Sequence, residues 1–113
     1  MEVKVRNLGD RPEVVIVHVA GEVDSSSAEQ FREKLVSLIS EPVRHVIVNL
    51  EDLTYINSSG MGALVAGYKR VRALDGTLRI CQVRGSIGEV MRLIRLDKII
   101  EIYDTEEAAL ASL

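Results

Sequence analysis

The segment Asn57-Ser58-Ser59-Gly60-Met61-Gly62 concentrates more potential chemistry than any other in the chain. A β-branched and aromatic run, Thr54-Tyr55-Ile56, stops at Asn57, and a helical pattern begins at Ser58. A helix N-terminus offers unpaired backbone N–H groups and a partial positive charge. A phosphoryl group attached there is stabilised without a basic side chain. Gly60 and Gly62 project no side chain, which would keep the approach open and let the helix start close against a sheet. The competing reading is structural, since Asn and Ser are favoured N-caps worth about 1 kcal/mol each. One cap needs one side chain, and this turn offers Asn57, Ser58 and Ser59. The surplus leaves Ser58, with Ser59 as runner-up, free for signalling or ligand binding.

Catalytic alternatives find less support. The turn lacks the Lys of a phosphate-binding GxxxxGK[ST] loop and does not match the GxSxG nucleophile elbow. A serine nucleophile would want a His base. His18 and His45 fall inside predicted strands, before their carboxyl ends, and read as packed or edge residues. No Cys/His group has metal-ligand spacing. Asn57-Ser58-Ser59 formally matches the glycosylation acceptor pattern. No signal peptide precedes it, because Met1 leads directly into the alternating Glu2-Val3-Lys4-Val5-Arg6-Asn7-Leu8. The reading is therefore of a non-enzyme, with no metal and no cofactor.

The elements that position this turn follow from periodicity. The 113 residues, 47% apolar and 27% charged, suit one globular domain spanning 1–113. The lone Cys81 sits in a strand pattern, which predicts a buried thiol and a reducing, cytoplasmic setting. No apolar run approaches the roughly 18 residues of a membrane span. The net charge of −3 comes without a basic block, so neither membrane nor nucleic acid is implied as a partner.

Strands are predicted over 1–7, 13–21, 44–50, 77–83 and 98–103, and helices over 24–40, 58–74, 86–96 and 105–113. Residues 51–57 read as a loop, Ser86 and Thr105 as N-caps, and Gly76 as the residue that ends the second helix. Met61, Leu64, Val65, Tyr68 and Val71 share a stripe. Alternating strands and helices imply an α/β fold with a mostly parallel sheet, opened by an antiparallel hairpin. Loops beyond the carboxyl ends of such strands collect functional groups. Gly21–Ser27 and Tyr55–Gly62 are two such loops, and consecutive parallel strands could set them side by side.

Residues 49–71, NLEDLTYINSSGMGALVAGYKRV, resemble the signature of STAS domains, in particular bacterial anti-sigma factor antagonists. Residues 19–35, VAGEVDSSSAEQFREKL, are similar to the family's strand, Gly-Glu-x-Asp and helix segment. The resemblance covers nearly the whole chain. It implies a single STAS domain with a mixed sheet of about five strands covered by about four helices. It also implies a function. An unphosphorylated antagonist binds an anti-sigma factor that is itself a serine kinase, and so releases the sigma factor. Phosphorylation of the antagonist breaks the complex, and a PP2C-like phosphatase resets it. By position the phosphorylated serine is Ser58, and Gly21, Glu22 and Asp24 match part of the kinase-docking surface. Asn57, Ser59, Gly60 and Met61 complete the expected partner-binding set. Where the family has an Asp before the serine, this chain has Asn57, which matches its shape but lacks its charge.

Two further classes remain open at this level. One is a structural STAS subunit of a stress-signalling scaffold, which predicts stable self-association in place of a monomer or weak dimer. The other is a small module that binds an anion or nucleotide directly. The Ser25–Ser27 run offers alternative acceptors but reads better as a helix start, and Met61 and Leu64, which could face a partner, read better as core at helical spacing.

Overall fold

A computed structural model describes residues 1–113. In chain order the elements are β1 (Glu2–Leu8), β2 (Arg11–Val23), α1 (Ala28–Ser37), β3 (His45–Asn49), β4 (Leu53–Ile56), α2 (Ser58–Ala73), β5 (Thr77–Cys81), α3 (Gly85–Leu93), β6 (Ile102–Tyr103) and α4 (Glu106–Ala111). A 3-10 turn at Leu96–Lys98 links α3 to β6. The sheet order is β1-β2-β3-β5-β6, with β4 paired to the end of β2. β1 and β2 form the expected antiparallel hairpin, and every other pairing is parallel.

The register explains how the chain splits into two layers. Val15, Val46 and Leu78 are neighbours across β2, β3 and β5, and so are Val17, Val48 and Ile80. Their side chains share one face and pack with Phe31 and Leu35 of α1, Leu64 and Val71 of α2, and Met91 of α3. Ile16, Ile47 and Cys81 point the other way, because side chains alternate along a strand. That face is covered by the short α4 through Ala109. The near-continuous apolar run Val14–Val17 is thus buried on both sides, as a central parallel strand requires.

Several boundaries differ from the sequence expectation. Residues 53–56, expected in a loop, form β4, so the sheet has six strands rather than about five. Residues 24–27 are a turn before α1 rather than its first residues. Ser86 is not the cap of α3: Arg84 holds that position and makes no side-chain cap bond. The last strand shrinks to two residues, since Leu96–Lys98 close a helical turn instead. At the end of α2 it is Asp75, not Gly76, that takes positive φ (61°). Gly76 has a different reason to be glycine, since a Cβ there would lie 2.0 Å from the carbonyl oxygen of Arg44.

Other expectations hold. Cys81 is a buried free thiol. Thr105 caps α4, its hydroxyl accepting from Ala108 N at 3.1 Å. His18 and His45 are half-buried strand residues. His45 Nδ1 lies 2.8 Å from Thr77 Oγ1 on the neighbouring strand.

Candidate functional site

β4 decides the geometry of the site. It lies parallel to the last residues of β2, with Glu22 opposite Tyr55 and Val23 opposite Ile56. Gly21 makes this possible with φ of 84° at an irregularity in the strand, a conformation that glycine adopts without a Cβ penalty. Both strands then end together. The chain leaves β2 into Asp24–Ser27 and leaves β4 into Asn57, so the two loops stand side by side, as their order along the sheet suggests.

Asn57 caps α2. Its Oδ1 accepts from Gly60 N at 2.9 Å, and its own backbone N–H donates to Val23 O at 3.0 Å. Those two bonds account for two of the four N–H groups that a helix start leaves without carbonyl partners. The remaining two belong to Ser58 and Ser59. Both serines are exposed, and neither hydroxyl makes an intramolecular hydrogen bond. The turn therefore presents two free hydroxyls and two free amides at the positive end of a 16-residue helix.

The neighbouring loop is held by Asp24. Its Oδ1 accepts from Ser26 N (2.9 Å), Ser26 Oγ (2.6 Å) and Ser27 Oγ (3.2 Å), while Asp24 N donates to Ser27 Oγ (3.0 Å). The side-chain and backbone bonds from Ser26 hold the Asp24 carboxyl below the usual carboxylate range, with Ser27 adding to the effect. Ser26 and Ser27 are thus occupied in structuring the turn before α1. Ser25 is not: its Oγ accepts a bond from Asn57 Nδ2 at 3.2 Å. Asn57 joins the two loops through both ends of one carboxamide.

Of the expected partner-binding residues, Glu22 and Ser59 are exposed, and Gly21, Asp24 and Asn57 are partly exposed around Ser58. Met61 departs from that expectation. It is 4% exposed and belongs to the main core, so its side chain is not on the presented surface. Gly60 is buried as well, and its lack of a side chain serves packing: a Cβ there would lie 2.6 Å from Ile56 Cγ1 and 2.8 Å from Val23 Cγ1. Gly62, by contrast, is open, with nothing within 4 Å of the same position. Gly60 lets the first turn of α2 seat closely, and Gly67 does the same farther along, where a Cβ would lie 2.6 Å from Leu35 Cδ2. No group of three or more His, Cys, Asp or Glu side chains is placed to hold a metal ion.

Sequence reasoning passed over two features. Tyr55, on a segment read as loop, is an exposed aromatic beside Glu22; the signal was the β-branched and aromatic composition of Leu53–Ile56. The second lies on the opposite face of the sheet. Glu106, at the start of α4, receives hydrogen bonds from Arg6 Nη2 and from Asn49 Nδ2 (3.2 Å), and His18 Nε2 lies 3.6 Å away. No local pattern marks this cluster, because its members lie up to 100 residues apart.

The sequence model of the STAS domain matches residues 6–109. The chain belongs to the STAS family. Among curated relatives of this STAS protein, the anti-sigma F factor antagonist of Paenibacillus polymyxa is 30% identical over 101 residues, covering 88% of this chain and 86% of the relative. The anti-sigma-B factor antagonist of Bacillus subtilis is 33% identical over 91 residues, covering 80% and 83%. Among solved structures, the Bacillus cell fate determinant SpoIIAA in its phosphorylated form superposes with a TM-score of 0.73 at 25% identity, covering 98% of each chain. The expected fold, a single STAS domain with a mixed sheet and four helices, is the one observed. No helix is long and apolar enough to cross a membrane.

Proposed function

We propose that this STAS protein is an anti-sigma factor antagonist, a cytoplasmic binding protein rather than an enzyme, switched by phosphorylation of Ser58. Unphosphorylated, it binds an anti-sigma factor that is also a serine kinase and frees the sigma factor. The observation that carries the reading is the Ser58 hydroxyl, exposed and unpaired at the first position of α2 beside the Asp24 loop. Its relatives support the reading, since they are named antagonists of anti-sigma factors.

The transfer step needs nothing from this chain beyond an accessible acceptor. Ser58 Oγ forms a bond to the γ-phosphorus of ATP, the β–γ phosphoanhydride bond breaks, ADP leaves, and the hydroxyl proton passes to a base of the kinase. The phosphate then lies over the free N–H groups of Ser58 and Ser59, which suit an anion. Phosphoserine brings nearly two negative charges at neutral pH. Facing one partner carboxylate at about 6 Å, with an effective dielectric of about 40, it is repelled by roughly 2.8 kcal/mol. That corresponds to about a hundredfold loss of affinity. The switch thus works by charge at the interface, without refolding the domain. A PP2C-like phosphatase would restore the binding form.

The test is exposure to the candidate kinase and ATP, read by intact mass and fragment mapping, with Ser58→Ala, Ser59→Ala and Asn57→Asp in parallel. One phosphate on Ser58, lost only in Ser58→Ala, is the expected result. Stable kinase binding with no phosphate would make the protein a constitutive antagonist or scaffold subunit and return Ser58 to a structural role.

A further inference from the structure

β1 is an edge strand whose outer side is open. Just before β3, Arg44 N donates to Glu13 O, so the odd residues of β2 turn their backbone groups to β3 and the even ones to β1. Glu2, Lys4 and Arg6, opposite Ala20, His18 and Ile16, therefore bond to β2. Val3, Val5 and Asn7 turn their N–H and C=O groups outward. β1 pairs with no other strand, and no turn or cap bond reaches these groups. An edge of this kind is a template for a further strand.

Side chains along the edge divide between the two faces of the sheet. Val3 and Val5 pack against the main core, whereas Glu2 and Lys4 project from the opposite face, exposed and 3.4 Å apart. Arg6 on that face is already held by Glu106. We infer that β1 pairs antiparallel with β1 of a second copy of this chain, with Val3 on the two-fold axis. In that register Val5 faces Met1 of the second copy, and Glu2 faces its Lys4. Apolar residues meet on the helix-covered face. On the other face Glu2 and Lys4 of both copies form a square of alternating charge, and opposite charges directly across a ladder stabilise it. Setting Val3 against Val5 instead opposes Lys4 to Lys4, and setting Val5 on the axis opposes Lys4 to Arg6. Like charges directly opposed destabilise both alternatives.

The surroundings of the edge fit a closed pair. Met1 is 40% exposed and lines, with Val3, Gln30 and Lys34, a depression of about 180 Å³ that the second copy's apolar residues would cover. Lys34 is itself exposed, so its long side chain keeps the ammonium in water. The other end of the sheet, β6, has only two residues, too few for β1 to pair with head to tail, so the contact closes on itself. A foreign strand would meet Lys4 as an unmatched charge, a common guard of sheet edges, unless it carried an acid in register. The overlap runs only from Met1 to Val5 in each copy, so the dimer is weak and depends on concentration. β4 and the Ser58 turn lie on the other side of β2, so this contact is independent of the proposed switch.

Sedimentation equilibrium of the full chain, up to about 1 mM, should show a monomer–dimer equilibrium. Over the same range the Val3 and Val5 amides should gain protection from exchange. Lys4→Glu and Glu2→Lys should each weaken association roughly tenfold, since two cross-strand pairs turn from attractive to repulsive. Glu2→Lys combined with Lys4→Glu should restore wild-type association. Both losses together with the recovery occur in this register alone. Val3→Pro deletes an outward N–H that is unused within one chain, and should abolish association. Glu2 and Lys4 are exposed, and amide spectra away from β1 verify the fold of each variant. A monomer at every concentration overturns the inference. So does a dimer that withstands Lys4→Glu, or one that exchange of the two charges fails to recover.

Discussion

Asn57 Nδ2 donates to Ser25 Oγ at 3.2 Å, while the Oδ1 of the same carboxamide caps the helix that carries Ser58. One side chain therefore sets the spacing of the two loops that flank the phosphorylation candidate. An Asp at this position could still cap the helix, and could accept from the Ser25 hydroxyl, but it could not donate to it. Asn57→Asp should leave the unfolding free energy within a few tenths of a kcal/mol, since both residues cap well, whereas Asn57→Ala should lose about 1 kcal/mol. Urea denaturation of both variants checks this, and equal losses would count against the capping role.

Ser58 itself contributes little to stability in the unphosphorylated protein. It is exposed and its hydroxyl bonds to nothing, so Ser58→Ala should change stability by no more than about 0.5 kcal/mol while abolishing the proposed phosphate acceptor. Ser58→Glu adds one charge where phosphoserine adds nearly two. It should weaken binding to the proposed kinase partner roughly tenfold. Calorimetric titration against the kinase separates that effect from loss of fold, and undiminished affinity of Ser58→Glu would sink the electrostatic account.

The two glycines of the turn should behave oppositely. Gly60→Ala drives a methyl group into Ile56 and Val23, and overpacking of that kind costs about 1–3 kcal/mol. Gly62→Ala meets open space inside a helix and should stabilise by up to about 1 kcal/mol. Thermal melts of the pair provide the comparison, and similar shifts in both would contradict the seating of α2 described above.

Acid should loosen the protein from the side opposite Ser58. Burial on its own would push the Glu106 carboxyl up. The hydrogen bonds from Arg6 and Asn49, with the charges of Arg6 and His18, outweigh it and bring the group below its ordinary 4.5. Its contribution is therefore full above pH 4.5 and lost as pH falls through the lowered value. His45, lowered mainly by burial, adds an earlier loss: the unfolded chain takes up its proton below about pH 6.5 before the folded one does. Unfolding measured from pH 7 to pH 3 should show both declines. Glu106→Gln should reduce only the lower decline, to which the lowered Asp24 also contributes, and an unchanged lower limb in that variant would refute the assignment.

Cys81 reports on the same face. Burial, with the charges of Glu106, Glu107 and Glu51, pushes its thiol up to about 12. Native protein at neutral pH should react with a thiol reagent only through opening of α4, so the rate should rise in Glu106→Gln. Rapid labelling of the wild type would show that α4 does not cover the thiol.

Local pattern was enough for much of this molecule. The run Val14–Val17, the stripe of α2 and the Thr105 cap follow from nearest-neighbour rules of burial and capping, so the strand–helix alternation, the parallel sheet and a serine-bearing helix start were legible in the chain. The NSSGMG and GEVD segments at their separation carried the family. What tertiary structure alone decided was pairing between distant residues. β4 exists as a strand because β2 continues far enough to pair with it, although residues 51–57 by themselves read as a loop. Met61 moved from a candidate contact to the core because Gly60 seats the first turn of α2 against Ile56 and Val23. The bond between Asn57 and Ser25, and the gathering of Arg6, His18, Asn49 and Glu106, join positions that share no local periodicity. Sequence patterns record what each element must bury, whereas hydrogen bonds between loops depend on where the sheet register brings their ends.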